Sequence, residues 1–331
     1  GLAVARSNNL GVRGVAHLAK FTVSRGLTDV VSDVEVARVF TFARQQNVDV
    51  HINSWAFPNS PDPAVVVDSI DVAFKEGRNK GDLDGDGIDD PLGMVILFAS
   101  GNSGLQREPG FDLSMLPQVI GVGASNDGDF RASYSNYGTG IDVLAPSGDD
   151  FRGGIVTTDN TDYPDAINRG ANVGGFNADS GLPEVDAAGK YTGFFAGTSA
   201  SCPIAAGVAA LVLSVNPMLT ATDVRLILEH TADRISPEDA GYNTITSRSL
   251  KYGYGRINAG GSGDKVGAVE AAQLTLSNGG FSWPERVADT RVEGIFLRWR
   301  QNLGTSEFLA VVSDAEFTFI PEDGVCYSSQ Q

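Results

Sequence analysis

Short apolar runs that alternate with helical stripes constrain this chain most, because a parallel sheet with helices on both faces is the architecture that absorbs such a pattern. The runs His17 to Ser24, Val48 to Ser54, Gly93 to Ala99, Gln118 to Ala124, Ile141 to Leu144 and Gly154 to Thr157 read as strands. Most are short and rich in Val, Ile and Leu, as strands covered on both faces should be. Between them, Asp29 to Gln46 places apolar residues at Val30, Val34, Ala37, Phe40 and Ala43, which is helical spacing. Pro63 to Gly77 reads as a second helix, with proline near its start and glycine at its end. The expected class is α/β in three layers, a mostly parallel sheet flanked by helices.

A different signal stands at Gly197-Thr198-Ser199-Ala200-Ser201-Cys202-Pro203, which opens directly into the apolar stretch Ile204 to Val215. A serine hydroxyl at a helix N-terminus gains exposed backbone N–H groups and the positive end of the helix dipole, both suited to an oxyanion. Pro203 is tolerated in the first turn, where its missing N–H has no intrahelical partner. Gly207 suggests close packing against a neighbour, and Asn216-Pro217 ends the helix. Thr220 then reads as an N-cap with Asp223 three residues on, opening a helix to about Thr231. Gly260 to Gly263 and the short helical stretch Val266 to Gln273 mark a domain edge. Beyond it, Gly294 to Trp299, Phe308 to Ser313 and Glu316 to Ile320 are strand-like, so 276–331 reads as a small β-rich extension or the start of a second domain.

Length and charge narrow the function. A chain of 331 residues with 42% hydrophobic content suffices for one large core and an appendage, and a monomer is expected. The apolar runs Met94 to Ala99 and Ala205 to Leu213 fall short of the roughly 20 residues a membrane span needs, so no spanning helix is expected. A net charge of −17 argues against nucleic acid or an anionic membrane as partner. Cys202 and Cys326 make no disulfide framework, and Cys202 reads as a small packing residue. The 159–190 stretch, rich in Gly, Asn and Asp, reads as a long loop before the serine, either surface or substrate-flanking. Gly1 in place of Met gives the expectation that processing or truncation removed what came before.

The acidic stretch Asp82 to Asp90 is a second chemical candidate. Carboxylates at Asp82, Asp84, Asp86 and Asp90 with Gly87 at the sixth place resemble the start of a calcium loop, and Ile88 can offer its carbonyl. The twelfth place is Gly93 rather than Glu, so the full EF-hand pattern is not met. Calcium or another hard cation is expected here, with a solvated acidic loop as the alternative.

Several motifs in order now carry a resemblance. The segment Gly197 to Leu211 resembles the nucleophile signature of the subtilisin-like serine proteases. Phe98-Ala99-Ser100-Gly101-Asn102 resembles the strand end that supplies the family's oxyanion-hole asparagine. Asn53-Ser54-Trp55-Ala56 is similar to the substrate-binding strand of kexin and furin-like members, with Ala56 where they carry glycine. Ala132 to Gly138, Asp142 to Pro146 and Tyr252 to Ala259 resemble later parts of the catalytic domain. The resemblance covers 1–275 and implies a secreted or extracytoplasmic serine endopeptidase acting on protein or peptide substrates. Ser199 would be the nucleophile and Asn102 the oxyanion donor. Asn53, Ser54, Trp55, Ala99, Ser100 and Gly101 would bind substrate.

The family's base comes from a His-Gly-Thr motif and its orienting acid from an earlier strand. His17, His51 and His230 match neither context and read as structural or surface residues. The opening residues resemble the segment just after the catalytic histidine, so the expectation is a fold incomplete at its N-terminus, inactive by itself. Such a chain should leave strands unpaired and apolar side chains exposed. Asp112 lies ten residues after Asn102, near where kexin-like enzymes place acids that select basic side chains; an uncommitted loop carboxylate is the alternative. Two other readings stay open: an inactive subtilisin-like binding domain, and a calcium-binding structural module.

Overall fold

The computed structural model describes 1–8, 11–24, 32–57, 62–83, 85–110, 112–149, 154–158, 191–261 and five short strand segments after 272. Contacts divide the chain into two compact units, Gly1–Ala259 and Gly260–Gln331. Asp84, the stretch 159–190, Val30 and 266–272 lie outside the described residues.

The first unit is built on a parallel sheet. Strands β1 (Val50–Asn53), β2 (Val95–Ala99), β4 (Ile120–Ser125) and β6 (Ile141–Pro146) lie in the order β1-β2-β4-β6, every pair parallel. Short ladders β3 (Gln106–Arg107) with β5 (Tyr137–Gly138), and β7 (Ile155–Thr158) with β8 (Tyr191–Phe195), stand beside it. All five residues of β2 are buried, as expected for an apolar run covered on both sides.

Helices α1 (Asp33–Gln45) and α2 (Ala64–Glu76) cover one face. A capping box between Ser32 and Glu35 starts α1 and satisfies two of its orphan backbone donors. Val36, Ala37, Phe40 and Ala43 of α1 join Val66, Ile70 and Ala73 of α2 in one core with Ile96 and Phe98. Val34, expected in that stripe, is exposed. The long helix α3 (Thr198–Val215) runs against β1, β2, β4 and β6. Its apolar character, mean hydropathy 1.7, would suffice for a membrane span, but it is mostly buried in the protein core. Gly207 meets its expected neighbour, since a Cβ there would lie 2.6 Å from Val15 Cβ. Helix α4 (Ala221–Thr231) opens with the Thr220–Asp223 capping box, and α5 (Pro237–Ala240) is a single turn.

His17 to Ser24 departs from expectation: it forms no strand. A strand exists only by pairing, and no described strand lies beside it. Leu18, Phe21 and Val23 are accordingly 87%, 70% and 80% exposed. The outer edge of β1 is likewise unpaired among the described residues, and Ile52 on it is exposed.

In the second unit, β9 (Gln273–Thr275), β10 (Leu297–Asn302) and β11 (Thr305–Ala310) form an antiparallel sheet ordered β10-β11-β9. Strands β12 (Thr318–Phe319) and β13 (Tyr327–Ser328) pair antiparallel. Gln273, expected to end a helix, opens β9 instead.

Candidate active site

Ser199 lies half-buried in the first turn of α3, one residue after Thr198 opens the helix. Gly197 caps the helix with φ +92°, a left-handed conformation that favours glycine. A Cβ there would stand 2.9 Å from Asn102 Nδ2, so the same glycine lets the asparagine amide close in.

Asn102 follows β2 and reaches the helix through its side chain. Its Oδ1 accepts from Thr198 N–H and from Thr198 Oγ1, both at 2.9 Å. Thr198 Oγ1 in turn accepts from Gly101 N–H at 3.0 Å, which locks the two segments reciprocally. With Oδ1 occupied by donors, the amide NH₂ is the part of Asn102 left to serve an incoming acceptor. Behind it, buried Asn136 supports the loop. Its Oδ1 accepts from Ser103 and Leu105 N–H, and its Nδ2 donates to Ser100 O at 2.8 Å. Ser100 is fully buried and donates from Oγ to Asn136 O, so its side chain supports this loop.

The other side of the helix start is equally tied down. Gly197 N–H donates to Tyr134 Oη at 3.1 Å, and Ser147 Oγ donates to Gly197 O at 3.0 Å. Ser201 Oγ donates to Ala145 O at 2.9 Å. Ser54, just past β1, donates from Oγ to Ser199 O at 3.2 Å, bringing the expected substrate strand to Ser199. Cys202 contacts Asn53 O through its thiol at 3.6 Å; burial pushes that thiol up to about 12, as a packing residue requires.

The chain's histidines stand elsewhere. His51 lies on β1 against Phe40 (ring centroids 4.9 Å apart) and Asn53, and His230 lies late in α4 beside Tyr254. His17 falls in the N-terminal turn.

Sequence reasoning passed over Asn136 and Tyr134, although both fall inside the quoted 132–138 motif. It also passed over Asp62. Asp62 N–H donates to Gly110 O, so the stretch leaving β1 meets the stretch that follows Asn102. Burial, then the charge of Asp112, pushes the Asp62 carboxyl up to about 6. Asp112 accepts from Ser114 N–H and Oγ–H, capping a 3-10 turn, and Arg107 Nε stands 3.7 Å from it.

The acidic loop folds on itself. Asp82 accepts from Gly85 and Gly87 N–H at 2.7 and 2.8 Å, Asp86 from Ile88 N–H, and Asp90 from Leu83 N–H. The donor chemistry suits a hard cation. Among the described residues no three His, Cys, Asp or Glu side chains converge, and Asp84 lies outside them.

Comparison with known proteins decides the family. The model of the subtilase family matches residues 1–255. The chain belongs to the subtilase family. A calcium-dependent protease of Trichormus variabilis is 36% identical over 270 residues, covering 76% of this chain and 37% of that protein. A kexin of Candida albicans is 27% identical over 267 residues, covering 78% of this chain and 24% of that protein. The chain thus spans about a third or less of the length of these relatives. Among solved structures, a serine protease of Aeromonas sobria matches with TM-score 0.64 at 19% identity, covering 84% of this chain and 54% of that one. That likeness supports the parallel α/β sheet with flanking helices.

Proposed function

We propose that this chain is the nucleophile-bearing part of a serine endopeptidase that hydrolyses peptide bonds in protein or peptide substrates. Ser199 Oγ attacks the scissile carbonyl carbon, and the carbonyl oxygen becomes an oxyanion held by Asn102 Nδ2–H and the Ser199 backbone N–H. The leading observation is the orientation of the Asn102 amide, whose Oδ1 is held by Thr198 so that the NH₂ serves the substrate. The exit of β1 at Asn53, Ser54 and Trp55 and the turn at Ala99, Ser100 and Gly101 line the two sides of the substrate path. In this reading Ser54 and Trp55 act directly, and the buried side chains of Asn53 and Ser100 support them.

The Ser199 proton passes to a histidine oriented by an aspartate, both from chain outside residues 1–331. The unpaired edge of β1 supports this. A cleft of about 970 Å³ lies along that edge, lined by residues 19–24, α1 and α3, and an added strand would find the free backbone groups of β1 there. Residues 1–331 alone are then inactive. Reaction of the full-length protein with a serine-directed fluorophosphonate tests the reading: labelling that vanishes in Ser199→Ala supports it. No labelling favours the inactive binding domain.

Calcium at the Asp82–Asp90 loop is part of the proposal, supported by the donor chemistry and by the name of the Trichormus relative. Asp82, Asp84, Asp86, Asp90 and the Ile88 carbonyl would supply its oxygens. A rise in thermal midpoint at millimolar calcium, lost in Asp82→Asn, supports the site; no rise removes it. The Asp62–Asp112 pair supports a preference for substrates with a basic side chain. Asp62→Asn should then raise KM for arginine-containing peptides more than for uncharged ones. We further propose a monomeric, extracytoplasmic protein, which light scattering and cell fractionation test.

A further inference from the structure

The side chains of His51, Asn53 and Trp55 follow one another along one face of β1 and its extension, as period-two alternation dictates. They form a continuous relay. Trp55 Nε1–H donates to Asn53 Oδ1 at 3.1 Å, and Asn53 Nδ2 donates to Leu97 O at 3.1 Å. These two partners fix which end of the amide is which. The reversed amide would set NH₂ against an indole N–H and oxygen against a carbonyl. The second Nδ2 hydrogen then has one destination, His51 Nδ1 at 2.9 Å. His51 is therefore the neutral tautomer that carries its proton on Nε2, because a proton on Nδ1 would meet a donor.

We propose that His51 is a positioning residue of the substrate site: its Nδ1 holds the Asn53 amide, and through it the Trp55 indole, in the geometry that shapes the exit of β1. The proposal rests on the protease reading in giving that exit to the substrate. Asn53 is 1% exposed, so its amide has no water to substitute for a lost partner. Trp55 is further held edge-on by Phe98 at 5.1 Å and by Phe57 at 5.6 Å. Ser54, on the opposite face, is bonded to Ser199 O, so a shift at Trp55 is felt at the nucleophile.

Protonation is the natural perturbation. Burial already lowers His51 to about 4. Phe40 of α1 faces the ring; Asp49 before β1, Lys80 after α2 and Lys20 of the N-terminal segment are the charged groups lining the same cleft. Lys80 Nζ lies 3.8 Å from Asp49 Oδ1, and Arg78 Nε donates to that same oxygen, so Asp49 is engaged elsewhere. Once His51 carries Nδ1–H, the Asn53 amide must turn, and Trp55 Nε1–H and Leu97 O both lose their partners.

The test follows the Trp55 indole N–H by ¹H–¹⁵N correlation in full-length protein made inert by Ser199→Ala, titrated from pH 7 to 3. The expected result is a shift of that resonance with a midpoint well below the ordinary histidine value, as burial dictates. It should disappear in His51→Asn, whose amide oxygen can stand near the Nδ1 position without titrating. A flat resonance in the parent, or an undiminished titration in His51→Asn, overturns the relay whether or not the protein is a protease. In full-length protein with Ser199 restored, His51→Leu should raise KM for a peptide substrate about tenfold, on the order of one lost buried hydrogen bond, with kcat changed less. His51→Asn should restore it. Unchanged KM in His51→Leu overturns the substrate role.

Discussion

The start of α3 and the outer edge of β1 are a few side chains apart, and they are finished to opposite degrees. Around Gly197 to Ser201 nearly every polar group has a partner within the chain: Asn102, Tyr134, Ser147 and Ala145 O all bond to it. Along the outer side of β1 the ladder stops among the described residues, Ile52 and Leu18 are exposed, and Phe21 and Val23 line a cleft beside it while remaining largely exposed. The contrast teaches that Asn102 and the Ser199 turn, to which the proposed function gives the oxyanion donor and the nucleophile, are held by local geometry, whereas the outer edge of β1 has no ladder partner among the described residues.

The strongest way to break the contrast is through the preorganised side. In the full-length protein Ser199→Ala should lower kcat by about 10⁶-fold, and Asn102→Ala by about 10²–10³-fold, both read by steady-state peptide hydrolysis. Equal small losses would place the chemistry elsewhere. Phe98→Ala, on β2 and in the closed core it shares with α1 and α2, should cost about 3–5 kcal/mol in denaturant unfolding. Phe21→Ser, on the open side, should change the stability of the isolated chain by no more than about 0.5 kcal/mol. Comparable costs would mean that the open side is in fact packed. Gly197→Ala should cost upwards of about 1 kcal/mol, because its φ of +92° and the nearby Asn102 amide both oppose a side chain.

A separate effect is a pH slope. His51 titrates near 4 in the fold and near 6.5 when unfolded, so as pH falls through that window the unfolded state takes up the proton first. Stability should fall between pH 6.5 and 4 and level off below for this group. His51→Asn should flatten that part of the profile in chemical unfolding at stepped pH.

Much of the fold was legible because local patterns agreed with it. The β2 and β4 runs are buried on both faces and read as apolar blocks, and the Ser32 and Thr220 caps announced their helices. His17 to Ser24 misled because its apolar residues specify a strand only when a ladder partner is present. That Asn102 and the start of α3 come together was legible through ordered motifs. The supporting roles of Asn136 and Tyr134 were not, since each is set by contacts across the sheet. The His51–Asn53–Trp55 relay carried a signal that was missed, three polar-tipped side chains at alternate positions of one strand. Arg78, fully buried and donating to Asp49, Leu219 O and Pro217 O, had no local mark at all.

The central claim, that Ser199 and Asn102 form a nucleophile with its oxyanion donor, is tested most directly by the rate of fluorophosphonate labelling in full-length protein, with mass-spectrometric localisation. The account predicts a single adduct on Ser199, lost in Ser199→Ala and formed about 10²-fold more slowly in Asn102→Ala. An adduct on another residue, or an undiminished rate at Ser199 in Asn102→Ala, would contradict it.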